Sequence, residues 1–219
     1  MLGMYATGPG TAGYYVIGNA VMTAAMSGVY GVTITVDQER WEGTLVYLFG
    51  APVNRFLVFF GRAFIHLIDG FLGVVMALGA GALLFGVNLG QAHWSSLVLT
   101  ILAVVFSTSG FGLLVGSLSL RYLNGYFFMN FAYLLLLALT GVNFPVTKLP
   151  LAVQWVASGL PLTRGVAAAR LAAQGAGLSA VAPLLAGELV VGLAYLLVGY
   201  AVFLQLEVLA KRLGTLERV

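Results

Sequence analysis

Arg62, His66 and Asp69 stand at i, i+4 and i+7 inside an otherwise apolar run. On a helix that spacing puts all three on one face. Ionisable groups at membrane depth are costly and usually face a partner or a cavity. Two chemistries fit. One is a proton relay, as in an ion-coupled secondary transporter or a membrane enzyme using His66 and Asp69. The other is a local pairing of Asp69 with His66 or Arg62, within about two helical turns of the start of the run. A relay needs a second acid at matching depth, and no other span offers one; Glu188 lies near the far end of the last apolar run. Local pairing is therefore preferred, with the relay as the alternative. Other chemistries lack their residues. Lys148 follows Thr147 and Lys211 follows Ala210, so no GxxxxGK[ST] phosphate loop exists. There is no HExxH or GxSxG, His66 and His93 are isolated, and cysteine is absent, so neither a metal site nor a cofactor of the chain's own is expected.

The elements that must carry such residues follow from composition. Of 219 residues, 61% are hydrophobic and 8% charged, against about 25% charged in an average soluble domain. So few charges cannot coat a water-facing surface, and a polytopic membrane protein is expected. A spanning helix needs about 20 mostly apolar residues. Five runs qualify: residues 14–36, 63–87, 94–120, 122–142 and 182–206, the third and fourth parted only by a short hinge at 121–124. The runs are long and do not alternate, which argues against a β-barrel. The expected fold is an all-α integral membrane helix bundle, one domain over residues 1–219. The N-terminus has no positive region or small-residue cleavage pattern and does not read as a signal peptide.

Loops on one side hold Arg40, Arg55, Arg62, Arg121, Lys211, Arg212 and Arg218; the other side holds Lys148, Arg164 and Arg170. The positive-inside bias puts the segment 37–55, the Arg121 hinge and the tail 207–219 in the cytoplasm, with 143–181 outside. No basic block suggests nucleic acid.

No charge precedes Asp37; then Asp37, Glu39, Arg40, Glu42 and Arg55 crowd into one segment. Trp41, Leu45 and Leu48 recur there at helical spacing, and Gly50, Ala51 and Pro52 break the pattern. A short interfacial helix follows, either a plain linker or a docking element. Outside, residues 151–160 and 161–174 are apolar but too short to cross, and Pro161 divides them at the first turn of the second. They read as two half-depth re-entrant helices or as interfacial helices. Arg164 and Arg170 could draw an anionic or amphiphilic substrate or anchor to lipid headgroups. Gly112 and Gly116 form a GxxxG suited to packing within the chain or between subunits. Met22, Met26 and Tyr30 share a face that could line an apolar path or pack a core. Leu206, Leu209, Leu213 and Leu216 mark an amphipathic end.

Two stretches carry a family resemblance. "ERWEGTLVYLFGAPVNR" resembles the segment between the second and third spans of ABC-2 type transporter permeases, with Glu39-Arg40, Gly43-Thr44-Leu45, Pro52 and Arg55 at the family's acidic–basic, Gly-Thr-Leu, Pro and Arg positions. "NFPVTKLPLAVQWVASGLPLTRGVAAARLAAQG" resembles its external segment before the last span, through Phe144-Pro145, Leu149-Pro150, Pro161-Leu162-Thr163 and Arg170. The family pattern has six spans, so the first is expected to be missing here.

The resemblance implies that Glu39, Arg40, Trp41, Glu42, Gly43, Thr44, Leu45, Pro52 and Arg55 form a coupling helix gripped by a separate ABC ATPase. Phe144, Pro145, Pro150, Pro161, Leu162, Arg164 and Arg170 would form an outer gate. ATP and Mg would be bound by the partner ATPase, and a second permease subunit, identical or related, would complete the path. It further implies a multi-pass protein of the cell inner (plasma) membrane exporting a drug, antibiotic, lipid or other amphiphile, hence efflux or resistance. A nonconducting membrane scaffold is a third possibility.

Overall fold

The computed structural model describes residues 12–44, 47, 55–122 and 124–213. Among them there are helices and no strand. In chain order they are α1 (Ala12–Trp41), α2 (Arg55–Phe85), α3 (Trp94–Tyr122), α4 (Gly125–Leu139), α5 (Leu151–Gly159), α6 (Thr163–Ala173) and α7 (Leu178–Leu213), with a 3₁₀ turn at Val146–Lys148. Four carry apolar stretches long enough to cross a membrane: Ala12–Thr35, Ile68–Phe85, Trp94–Ser119 and Leu178–Leu209.

The fourth expected span differs. Its helix has 15 residues, about 22 Å at 1.5 Å per residue, short of a hydrocarbon core of about 30 Å. Local chemistry sets both ends. Asn124 accepts the Phe127 N–H at 3.0 Å and starts the helix. The Thr140 hydroxyl and N–H both return to the Leu136 carbonyl, at 2.6 and 3.1 Å, and Gly141 at φ +84 turns the chain away. The first span differs in the other direction: α1 carries on through Asp37–Trp41, taking in the first residues of the expected interfacial helix; between Glu42 and Arg55 the described residues of that helix are Gly43, Thr44 and Tyr47, the last of them helical. The last helix likewise runs unbroken to Leu213, taking in the start of the expected tail.

The core lies where α1, α3 and α6 meet, with α2 and α4 adding residues from the flanks. α3 packs along α1 on one side and α7 on the other; α2 packs on the opposite flank of α1; and α6 sits across α1, α3 and α7 at one end. Most of α2 and α7 is left to the apolar surroundings, with Leu72, Met76, Leu83, Val190 and Leu197 exposed. That pattern suits lipid-facing walls, since lipid supplies no hydrophobic drive to hide them. What draws the helices together is close backbone approach. A Cβ at Gly112 would meet the Val29 carbonyl oxygen at 2.8 Å, and one at Gly192 would meet Ser107 Cα at 2.6 Å. Across the first of these contacts the Thr33 hydroxyl donates to the Gly112 carbonyl at 3.1 Å. The Gly112–Gly116 pair thus packs within the chain. Met22 and Met26 are buried in the same core, and Tyr30 packs against it.

Gly192→Val should lower stability by about 1–3 kcal/mol through overpacking, measured by detergent-titrated unfolding. Gly79→Val, where an added Cβ meets nothing within 4 Å, should leave it unchanged.

Candidate functional site

The charged turn lies at the end of α1. The helix stops at Trp41 because Gly43 adopts φ +70, the left-handed conformation that closes helices at low cost to glycine. The Thr44 N–H then reaches back to the Glu39 carbonyl at 2.9 Å and the Glu42 N–H to that of Gln38 at 2.9 Å. The Thr44 hydroxyl also binds the Glu39 carboxylate. Gly43-Thr44 is therefore a helix stop, and Glu39, only 4% exposed, is drawn inward to brace it. Trp41 and Glu42 remain on the surface. The Trp41 ring stands 6.1 Å from that of Tyr126 at the start of α4, so the two loops that charge counting put on one side do meet at one end of the bundle. The backbone of Arg40 and Arg55 is helical; Leu45, Leu48 and Pro52, and the side chains of Arg40 and Arg55, lie outside the described residues.

His66 and Asp69 are on α2, with Nδ1 3.5 Å from Oδ2. Asp69 is open to the surroundings, and the imidazole lies against Gly31 of α1, where a Cβ would come within 2.5 Å of the ring. This is the local pairing of neighbours on one helix. Arg62's side chain lies outside the described residues.

The opposite end is built around the hairpin of α5 and α6. Pro150 precedes α5, Pro145 precedes the 3₁₀ turn, and Phe144 is partly exposed between α4 and that turn. Pro161 sits in the turn before α6 and not within its first turn, because Leu162 takes φ 80 and the helix starts at Thr163. A left-handed leucine costs about 1–3 kcal/mol and persists only where its surroundings over-determine it. Here they do. Its side chain is fully buried, the Thr163 hydroxyl donates to the Ala157 carbonyl at 2.6 Å, and Arg164 Nη1 donates to the Ser158 carbonyl at 2.7 Å.

The decisive partner comes from α7. Glu188, with no exposed surface, accepts the Leu162 N–H at 2.6 Å on Oε1 and the Gly165 N–H at 3.0 Å on Oε2. Ser107 of α3 donates to the same Oε1 at 2.5 Å. The first N–H groups of a helix have no partner within it, and the helix dipole favours an anion there. Leu162 offers no side-chain cap, so Glu188 caps α6 from another helix.

The far end of α6 is held by Arg170. Its Nη2 donates to the carbonyls of Gly141 and Val142, both at 2.9 Å, and of Tyr14 at 3.3 Å. The guanidinium lies 3.4 Å from the centre of the Tyr14 ring, and the Tyr14 hydroxyl donates to the Gly141 carbonyl at 3.1 Å. Arg170 thus joins α6 to the start of α1 and the end of α4. The Pro145, Pro150 and Pro161 turns shape the hairpin, Leu162 and Arg170 are tied into the bundle, and Arg164 is tied to α5.

Sequence reasoning missed Glu188 and Ser107 as partners of the hairpin. The available signal was that Glu188 is a lone acid inside a long apolar helix, a position that needs a partner. Tyr14 carried no signal, since its partners, the Gly141 carbonyl and the Arg170 guanidinium, are remote in sequence.

Glu188→Ala should strand two backbone N–H groups and a hydroxyl, lowering stability by about 3 kcal/mol or more, measured as the unfolding midpoint in detergent. Ser107→Ala removes one donor and should have a clearly smaller effect.

Compared with known proteins, the chain matches the family model for the ABC-2 type transporter over residues 3–173. No curated protein and no solved structure matches it.

Proposed function

The chain belongs to the ABC-2 type transporter family and is a permease-type membrane subunit, and from that premise we propose that it moves an amphiphilic substrate outward using ATP hydrolysed by a separate ATPase. The observation that carries this reading is the continuity of α1. One 30-residue helix, about 45 Å long at 1.5 Å per residue, runs from the Trp41–Glu42 turn to Tyr14 beside Arg170. A displacement imposed at one end therefore reaches the hairpin without crossing a joint.

In this proposal the Trp41–Glu42 end faces the cytoplasm, as the positive-inside bias indicates, in the cell inner membrane. Trp41 supplies an exposed aromatic anchor and Glu42 a polar rim for the ATPase, the usual division within an interface. Glu39 positions both by holding the turn. ATP and Mg are bound by the ATPase; its nucleotide states must differ in affinity for two permease conformations, or hydrolysis shifts nothing. The hairpin of α5 and α6 forms the outer gate, and a second permease subunit completes the path.

The absence of cysteine allows a direct test. Glu42→Cys should resist a membrane-impermeant maleimide in intact cells and react after permeabilisation, whereas Trp155→Cys, at a residue 79% exposed on the hairpin, should react from outside. Trp41→Ala should weaken co-purification of the ATPase about tenfold or more, the scale of an aromatic hot spot. Labelling of Glu42→Cys from outside would exclude an ATPase at that end.

A further inference from the structure

A polar cavity of about 360 Å³ opens at the hairpin end, where the start of α1, the connection from α2 to α3 and the last turn of α6 meet. Tyr14, Asn88, Arg170 and Gln174 give it polar walls, and Arg170 is the only charged residue among those lining it. The partners of that guanidinium among the described residues are three carbonyls and the Tyr14 side chain, not a carboxylate. Its Nε is buried without a hydrogen-bond partner. Carbonyl dipoles and a ring offset only part of the cost of desolvating a cation. A fixed positive charge that lines a cavity and meets no carboxylate among the described residues is the chemistry that recognises an oxyanion.

A second space adjoins the first. Leu89 lines the polar cavity and also an apolar groove of about 240 Å³ between α2 and α3, walled by Phe71, Leu78, Trp94 and Ile101. The groove exists because α2 and α3 each pack on α1 while touching one another little. Trp94 is 55% exposed at the first residue of an apolar stretch long enough to cross a membrane, and indoles at the ends of spans favour the membrane interface. An anion-seeking pocket beside an apolar groove, sharing one wall, matches a ligand with an anionic head and a hydrocarbon tail.

We propose that these adjoining cavities bind one anionic phospholipid from the leaflet at the hairpin end, its phosphodiester at Arg170 and an acyl chain in the groove between α2 and α3. The bound lipid completes the electrostatic environment of the residue that ties α6 to α1 and α4. The inference requires only that the chain spans a membrane and does not rest on ATP-driven export.

The test uses the full chain in nanodiscs of equimolar phosphatidylglycerol and phosphatidylcholine, with the lipid retained after extraction counted by native mass spectrometry. The expected result is one phosphatidylglycerol per chain, retained over phosphatidylcholine. Arg170→Gln should reduce that retention about tenfold, the scale of one charge-assisted contact. Gly13→Phe should do the same by filling the cavity. It leaves Arg170 in place, and an added Cβ at Gly13 meets only Val87 Cγ1, at 3.8 Å, so it separates occupancy from folding. An excess of inorganic phosphate should not displace the lipid. Equal retention of both lipids overturns the proposal, as does retention unchanged in Gly13→Phe. Displacement by phosphate alone also overturns it and would mark a site for a free anion.

Discussion

A helix that begins inside a membrane protein brings unpaired N–H groups to a place where water cannot reach them. Here the Glu188 carboxylate satisfies two of them at the start of α6, one on each oxygen, and accepts from Ser107 of α3 on the oxygen that takes the Leu162 N–H. Three elements, the hairpin, the long α7 and the central α3, are thereby tied at one point. The left-handed backbone of Leu162 is tolerable because of it: the N–H that the unusual φ presents is the one Glu188 accepts. Glu188 itself could not remain buried in an apolar helix without such donors.

The two ends of α6 are solved by opposite charges. An anion from α7 meets its N-terminus. Near its other end a cation, Arg170, collects the Gly141 and Val142 carbonyls of the turn after α4 together with the Tyr14 carbonyl in the first turn of α1. Cations suit helix C-termini, and the broad guanidinium can serve several acceptors at once. Because Gly141 sits at φ +84, its carbonyl and that of Val142 both face one nitrogen. The hairpin is thus integrated into the bundle at both ends.

α1 joins this region to the charged turn. Its faces divide the work: Gly28, Val29 and Thr33 meet α3, while Thr23, Ser27 and Gly31 meet α2. The side-chain hydroxyls of Thr23, Ser27 and Thr35 return to carbonyls four residues back, so these three are satisfied locally and do not interrupt the span. α1 is thus one continuous helix gripped along two faces and stopped sharply by Gly43.

Much of this was legible from the chain alone. Charge scarcity announced a membrane protein, since a surface without charges has no other stable solvent. Long apolar runs located the helices, and Pro161 marked the division between the two short external helices, although it sits in the turn before α6 and not in its first turn. These are local properties, carried by residues near in sequence. The same local view put the end of the first helix at Val36, because charge density marks a membrane boundary and not the end of a helix; Gly43 decided that. It placed the fourth span too long at both ends, where an asparagine cap and a threonine cap trimmed it. Above all it left Glu188 without a partner and read Arg170 as a substrate or headgroup contact, not as the tie between α6, α1 and the end of α4. Their partners are 23 to 81 residues away for Glu188 and 28 to 156 for Arg170, and most are backbone groups that every residue possesses. Composition and periodicity determined which segments enter the membrane. Only the folded packing decided which buried charge faces which helix end, because that depends on distance in space between atoms the sequence does not distinguish.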